Sequence, residues 1–138
     1  MLAGALCIFC LLGQGITMAQ QADDPRSLLY RQVGEWLKAN TPTNACVGTL
    51  EVGIIGYYSE RKMVDFAGLI QPETALQFHE ESDYAEAALW AAQRYRPEFL
   101  ALHEHLFPEL EAWAKANECV ESAHFPGVNL DMVVYTCK

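Results

Sequence analysis

Basic residues are the first shortage. The 138-residue chain has 9 Lys and Arg against 18 Asp and Glu, a formal charge of −9. Nucleic acids and anionic membrane surfaces are held by clustered positive charge, so this balance argues against either as the main partner. Neutral or cationic ligands and neutral glycans stay open. Cysteine is also sparse. Five residues are too few for a disulfide scaffold, and they lack the paired CxxC spacing of a zinc ribbon. The lone CxxC, Cys7 and Cys10, sits in an apolar run without βαβ context and reads as two buried thiols. Gly53, Gly56 and Gly68 form neither GxGxxG nor a Walker loop, and no GxSxG elbow or local Cys-His dyad occurs. No cofactor is therefore expected. His103-Glu104-His105 would place two imidazoles on one face of an extended chain. The spacing is not HExxH, however, and nothing in the sequence brings His79 or His124 close, so no metal site is expected either. Repeats and low-complexity segments are absent.

What is present begins with an apolar run, Met1 to Met18, broken clearly only by Gln14 and Thr17. Three readings compete. A transmembrane helix needs about 20 apolar residues, and this run is slightly short. A signal peptide would have a basic leading region, yet no Lys or Arg precedes Arg26, although Thr17-Met18-Ala19 would serve as a cleavage site. A buried core helix is the third.

After a polar break at residues 20–25, the chain divides into short periodic segments. Arg26 to Asn40 reads as a helix, with Leu28, Leu29, Val33, Trp36 and Leu37 near helical spacing, Asp24 as its N-cap and Pro25 in its first turn. Cys46–Leu50 and Met63–Phe66 read as strands, separated by a glycine-containing segment with a helical turn or two. Gly68–Phe78 reads as a loop. Asp83–Tyr95 and Pro108–Asn117 are helices, and Glu98–His103 is a third strand between them. Cys119–Phe125 and Asp131–Cys137 form a terminal hairpin around Pro126-Gly127. Alternating strands and helices imply an α/β domain over residues 20–138: a small, mainly parallel sheet with flanking helices and a C-terminal antiparallel hairpin, preceded by an apolar helix over residues 1–19.

The chemistry concentrates between Glu51 and Pro72. Ligands of open α/β sheets bind outside the carboxyl ends of the strands, and Glu51 and Asp65 each end a strand-like run. Two carboxylates there could bind sugar hydroxyls or do acid/base work. Alternatively, Glu51 caps the following turn and Asp65 pairs with Arg61 or Lys62. Tyr57 and Tyr58 offer an aromatic face for a sugar or lipid, or else one packs inward and the other lies at the surface. The expected ligand-binding set is Glu51, Tyr57, Tyr58 and Asp65, with no catalytic residue assigned. In the terminal hairpin Cys119 and Cys137 fall nearly opposite each other. Either they form a disulfide, with Cys46 free, or all thiols stay reduced.

The segments Tyr30-Arg31-Gln32-Val33-Gly34-Glu35-Trp36-Leu37, Glu51-Val52-Gly53-Ile54-Ile55-Gly56-Tyr57-Tyr58-Ser59, Asp65-Phe66-Ala67-Gly68-Leu69-Ile70-Gln71-Pro72 and Arg94-Tyr95-Arg96-Pro97-Glu98-Phe99-Leu100 together carry a resemblance. They resemble the soluble C-terminal domain that follows the last membrane helix of bacterial multispanning, polyprenyl-phosphate-sugar-dependent glycosyltransferases of GT-C architecture, including mannosyl- and arabinosyltransferase-like proteins. The resemblance covers nearly everything after Arg26. It implies that Met1–Met18 is the final transmembrane helix and that the domain lies on the extracytoplasmic side of the cell membrane. The implied partners are the membrane, a polyprenyl-phosphate sugar donor and a glycan or lipid acceptor, with no nucleic acid. In that family the catalytic acid lies in the membrane part. Glu51 and Asp65 therefore do not inherit its role, and the chain is expected to be a fragment with an accessory, acceptor-positioning role. The alternatives are a small secreted or tethered binding module and a freestanding hydrolase using Glu51 and Asp65.

Overall fold

The computed structural model describes residues 24–78 and 84–138. The expected apolar helix over 1–19, Asp83 at the start of the expected helix Asp83–Tyr95, and His79 lie outside the described residues. Within them, no helix is long and apolar enough to cross a membrane.

The domain is a five-stranded sheet with helices on both faces. Its strands are β1 (Cys46–Thr49), β2 (Lys62–Asp65), β3 (Phe99–His103), β4 (Val120–Phe125) and β5 (Met132–Thr136). Their order is β2-β1-β3-β5-β4. β1 pairs in parallel with β2 and β3, whereas β5 runs antiparallel to β3 and β4. The sheet is thus mixed, parallel in its first three strands and closed by the antiparallel hairpin expected from the sequence. The helices are α1 (Pro25–Asn40), α2 (Val52–Ser59), α3 (Pro72–Ala75), α4 (Tyr84–Tyr95) and α5 (Pro108–Ala116). The short α3 falls where the sequence reads as loop. Pro72 opens it, and four residues are too few to show a helical period.

Strand alternation sorts the core into two layers. Val47, Ala101, Met132 and Val134 face α1 and α2, meeting Leu29, Tyr30, Val33, Leu37 and Ile55. Val64, Leu100, Leu102, Val133 and Tyr135 face the other way, onto Ala88, Ala91 and Ala92 of α4 and Leu110 and Ala114 of α5. The alanine stripe lets α4 lie close to the sheet. α1 starts as its sequence dictates: the Asp24 side chain accepts a hydrogen bond from the Arg26 N–H, and Pro25 fills the first turn. Arg61 ends it. Its guanidinium donates to the Lys38 and Thr41 carbonyls at 2.7 and 2.8 Å and to the Thr41 hydroxyl at 2.9 Å. That engagement removes Arg61 as the partner of Asp65.

Two glycines are set by close approach. At Gly34 a Cβ would lie 2.8 Å from Tyr58 Cβ and 3.0 Å from the Ile55 carbonyl oxygen, so only glycine lets α1 and α2 pack at this spacing. At Gly48 in β1 it would lie 2.4 Å from Cζ of Phe66, a fully buried ring, and 2.9 Å from Pro97 Cγ. Gly48→Ala is expected to destabilise the domain by about 1–3 kcal/mol through overpacking. Adding Phe66→Leu should recover part of that loss in urea unfolding. Strictly additive losses would show that the ring is not the obstacle.

Candidate functional site

β1, β2 and β3 run in one direction, and β4, antiparallel to β5, shares it. Their carboxyl ends therefore lie along one edge of the sheet. A cleft of about 260 Å³ opens there, lined by Leu29, Tyr30, Glu51, His103, Leu106 and Leu130 among others. Three chain segments distant in sequence supply its polar floor.

Glu51 follows β1 and occupies the N-cap position of α2, yet its side chain makes no capping hydrogen bond. It turns toward His103, the last residue of β3, with Oε1 3.6 Å from Nε2. Tyr30 reaches the same nitrogen from the buried face of α1: its hydroxyl lies 3.2 Å from His103 Nε2, and the two rings meet edge to face with centroids 5.6 Å apart. The donor in the Tyr30–His103 contact is set by the histidine tautomer. The neighbouring His103 imidazole holds the Glu51 carboxyl below the usual carboxylate range, against desolvation and with help from Tyr30. Burial, reinforced by the nearby Glu51 charge, pushes the Tyr30 phenol up to about 12, so it stays a neutral hydroxyl at physiological pH. Because Glu51 is depressed in the folded state, its stabilisation is present above the unfolded carboxylate pKa and is lost as pH falls through the folded value. His103 Nδ1 is buried and has no hydrogen-bond partner among the described residues. The cluster thus presents an ionised acceptor beside a neutral phenol and an imidazole, framed by aliphatic side chains. Such a site can accept hydrogen bonds from ligand hydroxyls while packing their C–H faces.

The other expected site residues do not join it. Asp65 is fully buried. Its two oxygens accept from the Ala67 and Ile70 N–H groups at 2.9 and 2.7 Å, and its own N–H donates to Gln71 Oε1. Asp65 builds the loop after β2, and both its oxygens are committed to that loop. A two-carboxylate hydrolase centre of Glu51 and Asp65 is not formed. Tyr58 packs in the α1–α2 seam under the Arg31 guanidinium, 5.1 Å from its ring centroid. Tyr57 is 77% exposed on α2 and stacks edge to face on Tyr58. Neither tyrosine lines the cleft. Tyr30 and His103 were missing from the sequence-derived set, since the contact joining them spans 73 residues. The available signals are a phenol on the helix over residues 26–40 and an imidazole, His103, at the end of a strand.

A second cluster flanks the cleft. His124 Nε2 on β4 lies 3.1 Å from Asp131 Oδ2 and 3.5 Å from Glu104 Oε2. The Asp131 Oδ1 accepts from the Gly127 N–H. These three side chains converge closely enough to hold a divalent cation, a proximity of His124 to Glu104 that nothing in the sequence indicates. They equally satisfy one another as a histidine between two carboxylates.

The fold and the cleft define an α/β domain, helices on both faces of its sheet, with a polar pocket at the carboxyl edge. The chain belongs to the family described as a domain of unknown function, DUF8728, whose match covers residues 16–135. Comparison with curated proteins and with solved structures gives no match.

Proposed function

We propose that this domain binds the hydroxyl-bearing part of a glycan or lipid acceptor in the Tyr30–Glu51–His103 cleft. In this reading it serves as an accessory extracytoplasmic domain of a polyprenyl-phosphate-sugar-dependent membrane glycosyltransferase and does not transfer sugar alone. The observation that carries the reading is the cleft itself: an ionised carboxylate, a neutral phenol and an imidazole meet at the carboxyl edge of the parallel strands, where such folds bind ligands. The Cys119–Cys137 disulfide supports an oxidising compartment. Cys46 is free. The sequence resemblance, which covers nearly everything after Arg26, supports the transferase context.

The test is titration of neutral mono- and oligosaccharides onto the full chain, followed by amide chemical shifts. Shifts are expected at Tyr30, Glu51 and His103. Glu51→Gln should weaken binding by roughly ten- to a hundred-fold, the value of a hydrogen bond to a charged acceptor. Tyr57→Ala should leave it unchanged. A panel that moves no cleft amide, or a Glu51→Gln protein that binds as well as the parent, would remove the site.

A further inference from the structure

The exposed large apolar side chains are distributed unevenly between the two ends of the sheet. At the carboxyl edge, the loop after β2 exposes Leu69 and Ile70, the turn after β3 exposes Leu106, and the β4–β5 loop exposes Val128 and Leu130. Leu69, Ile70 and Val128 are 77%, 69% and 78% exposed, on loops towards the two ends of this one edge, separated by β1 and β3. The opposite edge is polar. Its turns present Thr43 and Asn44, Glu60, Arg96, Asn117 and Glu118, with Val120 at the start of β4 and Tyr57 near the end of α2 the exceptions. Singly scattered apolar residues need no explanation, but a one-sided set does.

The chain's entry point lies on the same side. Asp24, Pro25 and Arg26, where α1 begins, line the cleft together with Leu106, Val128 and Leu130. Immediately before them in sequence comes the apolar stretch Met1 to Met18, separated by only a few polar residues. A short connection keeps this edge close to wherever the apolar stretch partitions.

We infer that the carboxyl edge of the sheet is the surface this domain lays on a lipid bilayer, with Leu69, Ile70, Val128 and Leu130 dipping into the interface and the cleft opening onto it. The partner is the hydrocarbon boundary of the membrane. Anionic headgroups are not its attraction, because Asp24, Glu51, Glu104 and Asp131 stand at this edge and Arg26 is already paired with Asp24 at 2.8 Å. Building on the acceptor-site reading, the cleft then receives the polar head of an amphiphile from the membrane plane, with the aliphatic lip of Leu106, Val128 and Leu130 facing the lipid phase.

The test uses the full chain in phosphatidylcholine nanodiscs carrying a gadolinium-chelating lipid. Amides of residues 69–70 and 127–130 are expected to lose intensity, while those of 43–44 and 117–118 keep it. A benzophenone amino acid replacing Ile70 or Val128 should give lipid adducts, and one replacing Thr43 none above background. Raising salt should leave the adducts intact. Equal broadening at both edges, adducts only at Thr43, or adducts in source membranes carried by a protein instead of lipid would each overturn the orientation. Glu51→Gln should leave the adducts unchanged, so failure of saccharide binding and failure of membrane contact are read separately.

Discussion

Asp65→Ala is expected to destabilise the domain by about 2–4 kcal/mol, and Asp65→Asn by about half as much. The buried carboxylate holds two backbone N–H groups with its two oxygens, and such charged hydrogen bonds contribute about 1.5–3 kcal/mol each. Part of that is offset because the buried charge itself need no longer be desolvated. The amide of Asn keeps only one acceptor, hence the intermediate loss. Urea unfolding at neutral pH, with an unchanged m-value, measures it. Glu51→Gln is the matched control: a carboxylate at the same edge, half-exposed, whose loss should change stability little and ligand affinity much. If Asp65→Ala unfolds at the parent's urea midpoint, Asp65 does not hold the loop and regains its place as a candidate ligand-binding acid.

Replacing Cys119 and Cys137 together by serine is the second large effect. The bridge joins residues separated by 18 positions, tying the start of β4 to the end of β5. Closing a loop of that length removes denatured-state freedom equivalent to about 3 kcal/mol. The double variant should lose about that much, and reduction of the parent under native conditions should give the same midpoint. A loss below about 1 kcal/mol would show that the reduced chain already keeps these strands together in its unfolded ensemble.

Much of the fold was legible because its signals are local. The cap and first turn at Asp24-Pro25, the period of α1, the alanine-rich face of α4 and the turn at Pro126-Gly127 are each decided within a few residues. The mixed character of the sheet followed from the terminal hairpin, but strand order did not, because β1 pairs with β3 across some fifty residues. The site was half legible for the same reason. Glu51 is marked by its place after a strand, whereas Tyr30 looks like one more core position of α1 and His103 like half of a His-Glu-His pair. Asp65 shares the strand-end signal with Glu51. Only the packing of the following loop separates them, since the backbone N–H groups of residues 67 and 70 donate to the Asp65 carboxylate.

The strand order also fixes when the domain can form. β1 is made some fifty residues before its inner neighbour β3, which begins at residue 99, and β3 in turn lacks its other neighbour until β5 is complete at residue 136. Until then the middle of the sheet has open edges, and the pairings that close it span long loops. A nascent chain short of β5 therefore presents the open edge of β3 to chaperones, proteases or another copy of itself.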